Sequence, residues 1–185
     1  DADRRVAPEG ACRDEVGLTM APDPSVRAAV RDDAAGICAV YNQGIEDRAA
    51  TFETTLRSPD DIAHWFDDDT CPVIVAEADG QIVGFASTSA YSARECYAGI
   101  RDFSIYVHRE AKRRGIARKL LVALFDAARK AGCWKITSRI FPENTASLEL
   151  CKSLGFRVVG THVRHARLDG KWRDVVTVER LFDQD

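Results

Sequence analysis

The stretch Val107-His108-Arg109-Glu110-Ala111-Lys112-Arg113-Arg114-Gly115-Ile116-Ala117-Arg118 decides the reading of this chain. It follows a short run of alternating β-formers, Phe103-Ser104-Ile105-Tyr106-Val107, which reads as a strand. It opens a helix whose apolar residues Ile116, Leu120, Leu121, Leu124, Phe125 and Ala128 recur at helical spacing. A strand therefore delivers the chain to a glycine-bearing turn, and the turn starts a long amphipathic helix. The first N–H groups of such a helix lack intrahelical partners and carry partial positive charge. They suit a phosphate or pyrophosphate. Gly115 allows close approach of the backbone, and Ala117 is the next smallest residue at a second such position. Arg109, Lys112, Arg113, Arg114, Arg118 and Lys119 surround the turn with positive charge. From these residues alone two readings stand: an anion cradle, or a solvated basic helix start. A Walker A loop and the dinucleotide GxGxxG are both absent, so any anion is held by another scheme.

Working outward, Val26–Val30 reads as a strand and Asp32 or Asp33 caps a helix through Ala34, Ile37, Cys38 and Tyr41. Ser58-Pro59-Asp60-Asp61 marks a second helix start. Val73–Ala76 and Ile82–Ala86 form a hairpin across Ala78-Asp79-Gly80, and 88–99 is expected to be a polar loop. Past the central helix, Trp134–Ile140 is a strand, Asn144 or Thr145 opens a short helix to Leu154, and Gly155 stops it. Phe156–Leu168 and Trp172–Phe182 are strands joined at Asp169-Gly170. The order β-α-α-β-β-β-α-β-α-β-β predicts an α/β fold. It calls for one mixed, mostly antiparallel sheet with helices on both faces.

The chain has 185 residues, enough for one core, with 45% hydrophobic and 30% charged residues, a balance that excludes a disordered chain. The organisation expected is a mobile tail over 1–24 and one domain over 25–185. Met20, the only methionine, is expected to mark the native start. No apolar run reaches the ~18–20 residues of a bilayer span and no signal-type segment is visible, so neither a membrane protein nor a secreted one is expected. A formal net charge of −3 argues against nucleic acid as partner. The six cysteines form no CxxC pair and no zinc spacing, which points to reduced, packed thiols in the cytoplasm and to no metal. His162 and His165, three apart on one strand, are not expected to share a face.

Lys112…Gly115-Ile116-Ala117 after Val107 resembles the V-x₄-[QRK]-x-x-G-x-[GA] signature of the GNAT superfamily of N-acetyltransferases. Asn144-Thr145-Ala146-Ser147-Leu148-Glu149-Leu150 through Gly155-Phe156 resembles its second motif, N-x₂-[AS]-x₂-L-x₄-G-F. Tyr41–Ile45 with Ala50–Glu53, Asp102–Val107, Ser138–Ser147 and Leu168–Val175 are similar to the phosphinothricin and arsinothricin N-acetyltransferase branch. The likeness spans about residues 26–182.

The resemblance implies a GNAT-like fold and acetyl-CoA as co-substrate. It implies transfer to the α-amine of a small amino-acid-like toxin of the arsinothricin, phosphinothricin or methionine sulfoximine type, commonly in a homodimer. It places Arg113, Arg114, Gly115, Ile116, Ala117 and Arg118 on the CoA pyrophosphate. Ile105, Tyr106, Val107 and Asn144 would lie along the pantetheine, with Ser153 nearby. Asp102 stands where the branch usually has Glu and would act as general base through a water. Phe52, Ser92, Arg94, Tyr97, Phe103 and Ser104 would face the acceptor, Arg94 as the fork for its acid group. Ser92 stands where some phosphinothricin enzymes have Lys. Cys151 stands where many members carry a Tyr general acid, and packing is its expected role. Two other readings are an acetyltransferase for a protein N-terminus or another amine, and a non-catalytic acyl-CoA sensor.

Overall fold

The computed structural model describes residues 23–182. The tail expected over 1–24 and the start at Met20 lie almost wholly outside the described residues. Seven strands form one sheet: β1 (Ser25–Ala28), β2 (Val73–Ala78), β3 (Gln81–Ala90), β4 (Ile100–Val107), β5 (Lys135–Ile140), β6 (Arg157–Leu168) and β7 (Lys171–Leu181). Four α-helices accompany them: α1 (Ala34–Glu46), α2 (Pro59–Ala63), α3 (Ile116–Lys130) and α4 (Thr145–Ser153). The strand order is β1-β2-β3-β4-β5-β7-β6. Every neighbouring pair is antiparallel except β4 and β5. The expected element order and mixed sheet are therefore present.

Alternation along the strands sends neighbouring side chains into two cores. Ile74, Ala76, Ala86 and Phe103 join the apolar stripe of α3, with Leu120, Leu121, Leu124 and Phe125. Val73, Val75 and Phe85 face the other way, onto Ile37, Cys38 and Val40 of α1 and Ile62 of α2. The helices thus cover both faces. Ser58 caps α2 as its sequence suggests, accepting from the Asp61 N–H while the Asp61 carboxylate accepts from the Ser58 N–H at 2.8 Å.

Two differences from the sequence reading bear on the site. β3 runs to Ala90, so the expected 88–99 loop is shorter at its start, and β4 begins at Ile100, three residues before the strand read from Phe103. The cause is pairing: Thr88, Ser89 and Ala90 lie opposite Phe103, Asp102 and Arg101. The second concerns His162 and His165. A bulge in β6 between His162 and Ala166, with Arg164 at φ 51°, adds residues to one face. The two imidazole rings end 4.8 Å apart rather than on opposite faces.

The arrangement of β4 and β5 positions everything that follows. Their parallel pairing covers only Ile100, Arg101 and Asp102 against Lys135, Ile136 and Thr137. Beyond Asp102 the two strands part, bridged once by the Ser138 hydroxyl donating to the Phe103 carbonyl at 2.9 Å. The β5-facing edge of β4 from Ser104 to Val107 therefore has no strand beside it. A backbone edge left this way can receive an extended ligand.

Candidate active site

A cleft of about 720 Å³ lies on that open edge. Ile105, Tyr106 and Val107 of β4 form one wall, and the turn Lys112, Arg113, Gly115, Ile116, Ala117 and Arg118 closes its end. Arg113 and Gly115 both adopt left-handed backbone, at φ 65° and 73°. Left-handed residues within a turn can aim backbone N–H groups outward, and the free N–H groups at the start of α3 lie at the end of the same turn. A Cβ built on Gly115 meets nothing within 4 Å, so the space in front of the turn is open.

The surrounding cations are not equivalent. Arg109 is held by Glu46 at 3.1 Å and Asp47 at 2.9 Å, and Lys112 reaches Asp47 at 3.5 Å. Lys119 pairs with Asp23. Arg118 lines the cleft and donates to the Ser153 hydroxyl at 3.1 Å. Ser153 touches the cleft only through Arg118, and Arg114 stands outside its lining. Asn144 lines the far wall and caps α4, its side-chain oxygen accepting from the Ser147 N–H at 3.2 Å.

The gap between the parted strands leads inward. It is lined by Ile105, Asn144 and Leu150, shared with the cleft, and by Phe103, Ser104 and Ser138. It ends at a second cavity of about 470 Å³. Asp102, Phe103 and Ser104 reach this cavity from β4, and Arg139 and Ser138 from β5. Thr51, Phe52 and Glu53 supply the wall from the irregular segment after α1. The Phe52 ring meets Phe141 edge-on at 4.9 Å. Tyr106 and Ala50 line both cavities.

Asp102 is mostly buried, its side chain 19% exposed. Burial pushes its carboxyl above the ordinary carboxylate range, and the positive charge of Arg139 opposes that shift. The pair is close, Arg139 Nη2 donating to Asp102 Oδ2 at 2.9 Å. Arg101, its neighbour on β4, does not fill that place. Arg101 points to the opposite face, where it donates to the carbonyls of Thr70, Ala98 and Ile100. Strand alternation makes this unavoidable for adjacent residues.

Ser92, Arg94 and Tyr97 do not reach the acceptor-side cavity. They sit on the 91–99 connection, where Tyr97 packs edge-on against Tyr91 at 5.8 Å. The early end of that loop is consumed by the longer β3, so the remainder projects outward. Of the expected acceptor-facing set, Phe52, Phe103 and Ser104 are brought together. Sequence reasoning missed Tyr41, Thr51, Glu53, Arg139, Phe141 and His165. Arg139 carried only a partial signal, a cation near the end of a strand, because its meeting with Asp102 depends on the pairing of β4 and β5.

Cys151 is 3% exposed, packed in the α3-side core and at the edge of the gap. Burial pushes its thiol up to about 11. A donor held there protonates an ordinary thiolate, whose conjugate acid lies near 8.5, only uphill. Cys151→Ala is expected to keep kcat near wild type while lowering stability by about 1 kcal/mol, read by steady-state kinetics and urea unfolding.

The acetyltransferase (GNAT) family profile matches residues 39–156. This chain belongs to the GNAT family. The L-amino acid N-acyltransferase MnaT of Escherichia coli is 31% identical over 163 residues, covering 86% of this chain and 95% of that protein. The L-methionine sulfoximine/L-methionine sulfone acetyltransferase of Pseudomonas aeruginosa is 31% identical over 166 residues, covering 86% and 95%. The crystal structure of a GNAT phosphinothricin acetyltransferase from Sinorhizobium meliloti in complex with acetyl-CoA superposes with a TM-score of 0.80 at 28% identity, covering 86% of this chain and 89% of that one. The cleft on β4 and the cavity at Asp102 are joined by the gap between the parted strands.

Proposed function

We propose that this GNAT protein transfers acetyl from acetyl-CoA to the α-amine of a small amino-acid-like acceptor, of the methionine sulfoximine, phosphinothricin or arsinothricin type. Such a transfer would detoxify the acceptor, because the acetylated amine no longer carries the charge of an amino acid. The parting of β4 and β5 immediately after Asp102 carries this reading, since it joins a nucleotide-sized cleft to a buried carboxylate.

The cleft fits acetyl-CoA in shape and chemistry. The turn from Arg113 to Arg118 offers N–H groups, open space at Gly115 and side-chain cations to a diphosphate. The unpaired edge of Ile105, Tyr106 and Val107 suits the amides of a pantetheine arm, and Asn144 flanks its path. Arg114 and Ser153 contribute from outside the lining. Bound acetyl-CoA supplies an activated thioester carbonyl, and a β4 N–H aimed at its oxygen stabilises negative charge there. Asp102 takes the proton that the acceptor's ammonium must lose, directly or through one water. Phe52, Phe103 and Tyr106 keep bulk solvent from the reacting atoms. No group of three or more metal-ligating side chains occurs among the described residues.

Residues 25–185 would act as one catalytic domain in the cytoplasm, with no helix among the described residues long and apolar enough to cross a membrane. A homodimer is supported by β6, an edge strand of 12 residues. Val158, Val159 and Val163 on it are 60%, 50% and 73% exposed. Ser92, Arg94 and Tyr97 would act on the acceptor only if ligand binding or assembly brings the 91–99 connection over the cavity.

The test is thiol release from acetyl-CoA across a panel of amines. Release with methionine sulfone, methionine sulfoximine or phosphinothricin is expected. Release only with peptides would replace this reading by protein N-terminal acetylation. Tight coenzyme binding without release from any amine would replace it by a sensor.

A further inference from the structure

We propose that Arg139 and Asp102 together form a receptor for the zwitterion of an α-amino acid, with Arg139 taking the α-carboxylate while Asp102 takes the ammonium. This rests on the acetyl-transfer reading and names the group that selects its acceptor.

The geometry is complementary in both charge and spacing. An α-amino acid carries an ammonium and a carboxylate on one carbon. The cavity presents a carboxylate and a guanidinium in hydrogen-bond contact at 2.9 Å, on adjacent strands and toward the same space. Each partner is reachable, because Arg139 is 56% exposed and uses one of its five N–H groups on Asp102. An incoming zwitterion exchanges one ion pair for two, so the acceptor is not asked to desolvate a lone charge. The guanidinium fork also matches a carboxylate in two-point geometry.

Among the described residues, no other permanent cation lines this cavity. Arg57 is turned to Glu53 at 2.7 Å, and Arg173 to Glu143 at 3.2 Å while stacking on Phe141. Arg94, the residue the sequence offers as the fork, is on the exposed connection. The remaining basic group among the lining residues is the imidazole of His165 on β6. Position 139 therefore holds the one full positive charge beside the carboxylate that must receive the amine. Binding also frees Asp102: once Arg139 turns to the acceptor, the carboxylate faces the ammonium alone.

The test compares wild type with Arg139→Gln and Arg139→Lys on three acceptors: methionine sulfone, its α-carboxamide, and phosphinothricin. Acetyl-CoA affinity by calorimetry serves as the folding control, because Arg139 lies outside the coenzyme cleft. Wild type is expected to prefer methionine sulfone over its carboxamide. Arg139→Gln is expected to lower kcat/KM for both carboxylate acceptors by about 10–100-fold, leave the carboxamide nearly unchanged, and so erase the preference. Arg139→Lys restores part of it. Equal losses on sulfone and carboxamide, or a preference that survives in Arg139→Gln, overturn the proposal while leaving acetyl transfer intact. A loss confined to phosphinothricin overturns it in favour of a fork for the side-chain acid. A wild type that releases thiol with none of the three overturns this proposal together with the transfer reading.

Discussion

Asp102→Asn is expected to lower kcat/KM for an amino-acid acceptor by about 10²–10⁴, the usual worth of a general base. The amide is close in shape but holds no proton-accepting charge. The pH profile tells this loss from simple damage. In the wild type the rate rises with pH as Asp102 ionises, and burial places that limb above the ordinary carboxylate range. Among the described residues, the titratable and charged side chains that line the cavity with Asp102 are Arg139 from β5, His165 from β6, Glu53 from the segment after α1 and the tyrosines Tyr41 and Tyr106. Arg139 alone is in contact with it. In Asp102→Asn the limb vanishes, and the residual rate follows the acceptor amine's own deprotonation.

Stability moves the other way. A carboxyl raised by burial holds its proton more tightly folded than unfolded. Its ionisation therefore costs stability as pH climbs from the model-peptide value of 3.8 through the folded value, and the cost persists above. At neutral pH Asp102→Asn removes that cost. A variant as stable as wild type, or slightly more so, but nearly inactive would identify a group held for chemistry. Near-normal kcat/KM across pH would remove Asp102 from the reaction.

What the sequence yielded and what it withheld divide along one physical line. Local signals were legible: the stripe of α3, the Ser58–Asp61 cap, the Asp169-Gly170 turn and the glycine-bearing turn before α3 all depend on residues a few positions apart. The cleft was legible for the same reason, since its end is one continuous segment from Val107 to Arg118. The cavity at Asp102 is built from six separated stretches, and its walls depend on register. Arg139 meets Asp102 only because Thr137 is the register partner of Asp102, which no local pattern states. His165 enters the cavity through a bulge, and bulges break the alternation by which faces are read. Arg94 and Tyr97 were placed by likeness to relatives, and loop positions are where relatives diverge most.

The second large effect belongs to the turn. Gly115→Val is expected to raise the dissociation constant for acetyl-CoA by about 100-fold or more. Two causes act there and can be separated. Gly115 sits at φ 73°, where an L side chain with a branched Cβ is strained by about 1–2 kcal/mol. Its Cβ position also opens on empty space, so added methyl groups would stand where the N–H groups of the turn and of α3 converge. Gly80, in the hairpin between β2 and β3, has nearly the same backbone at φ 74° and equally open space, far from the cleft. Gly80→Val thus carries the strain without the obstruction and should lose stability alone. Gly115→Ala lies between, sharing the strain and intruding by a single methyl group. Calorimetric titration of acetyl-CoA into these variants should show affinity falling from wild type through Gly115→Ala to Gly115→Val, with Gly80→Val matching wild type. Equal affinity in all four would mean that the diphosphate does not lie against this turn, and the cleft on β4 would then need a different occupant.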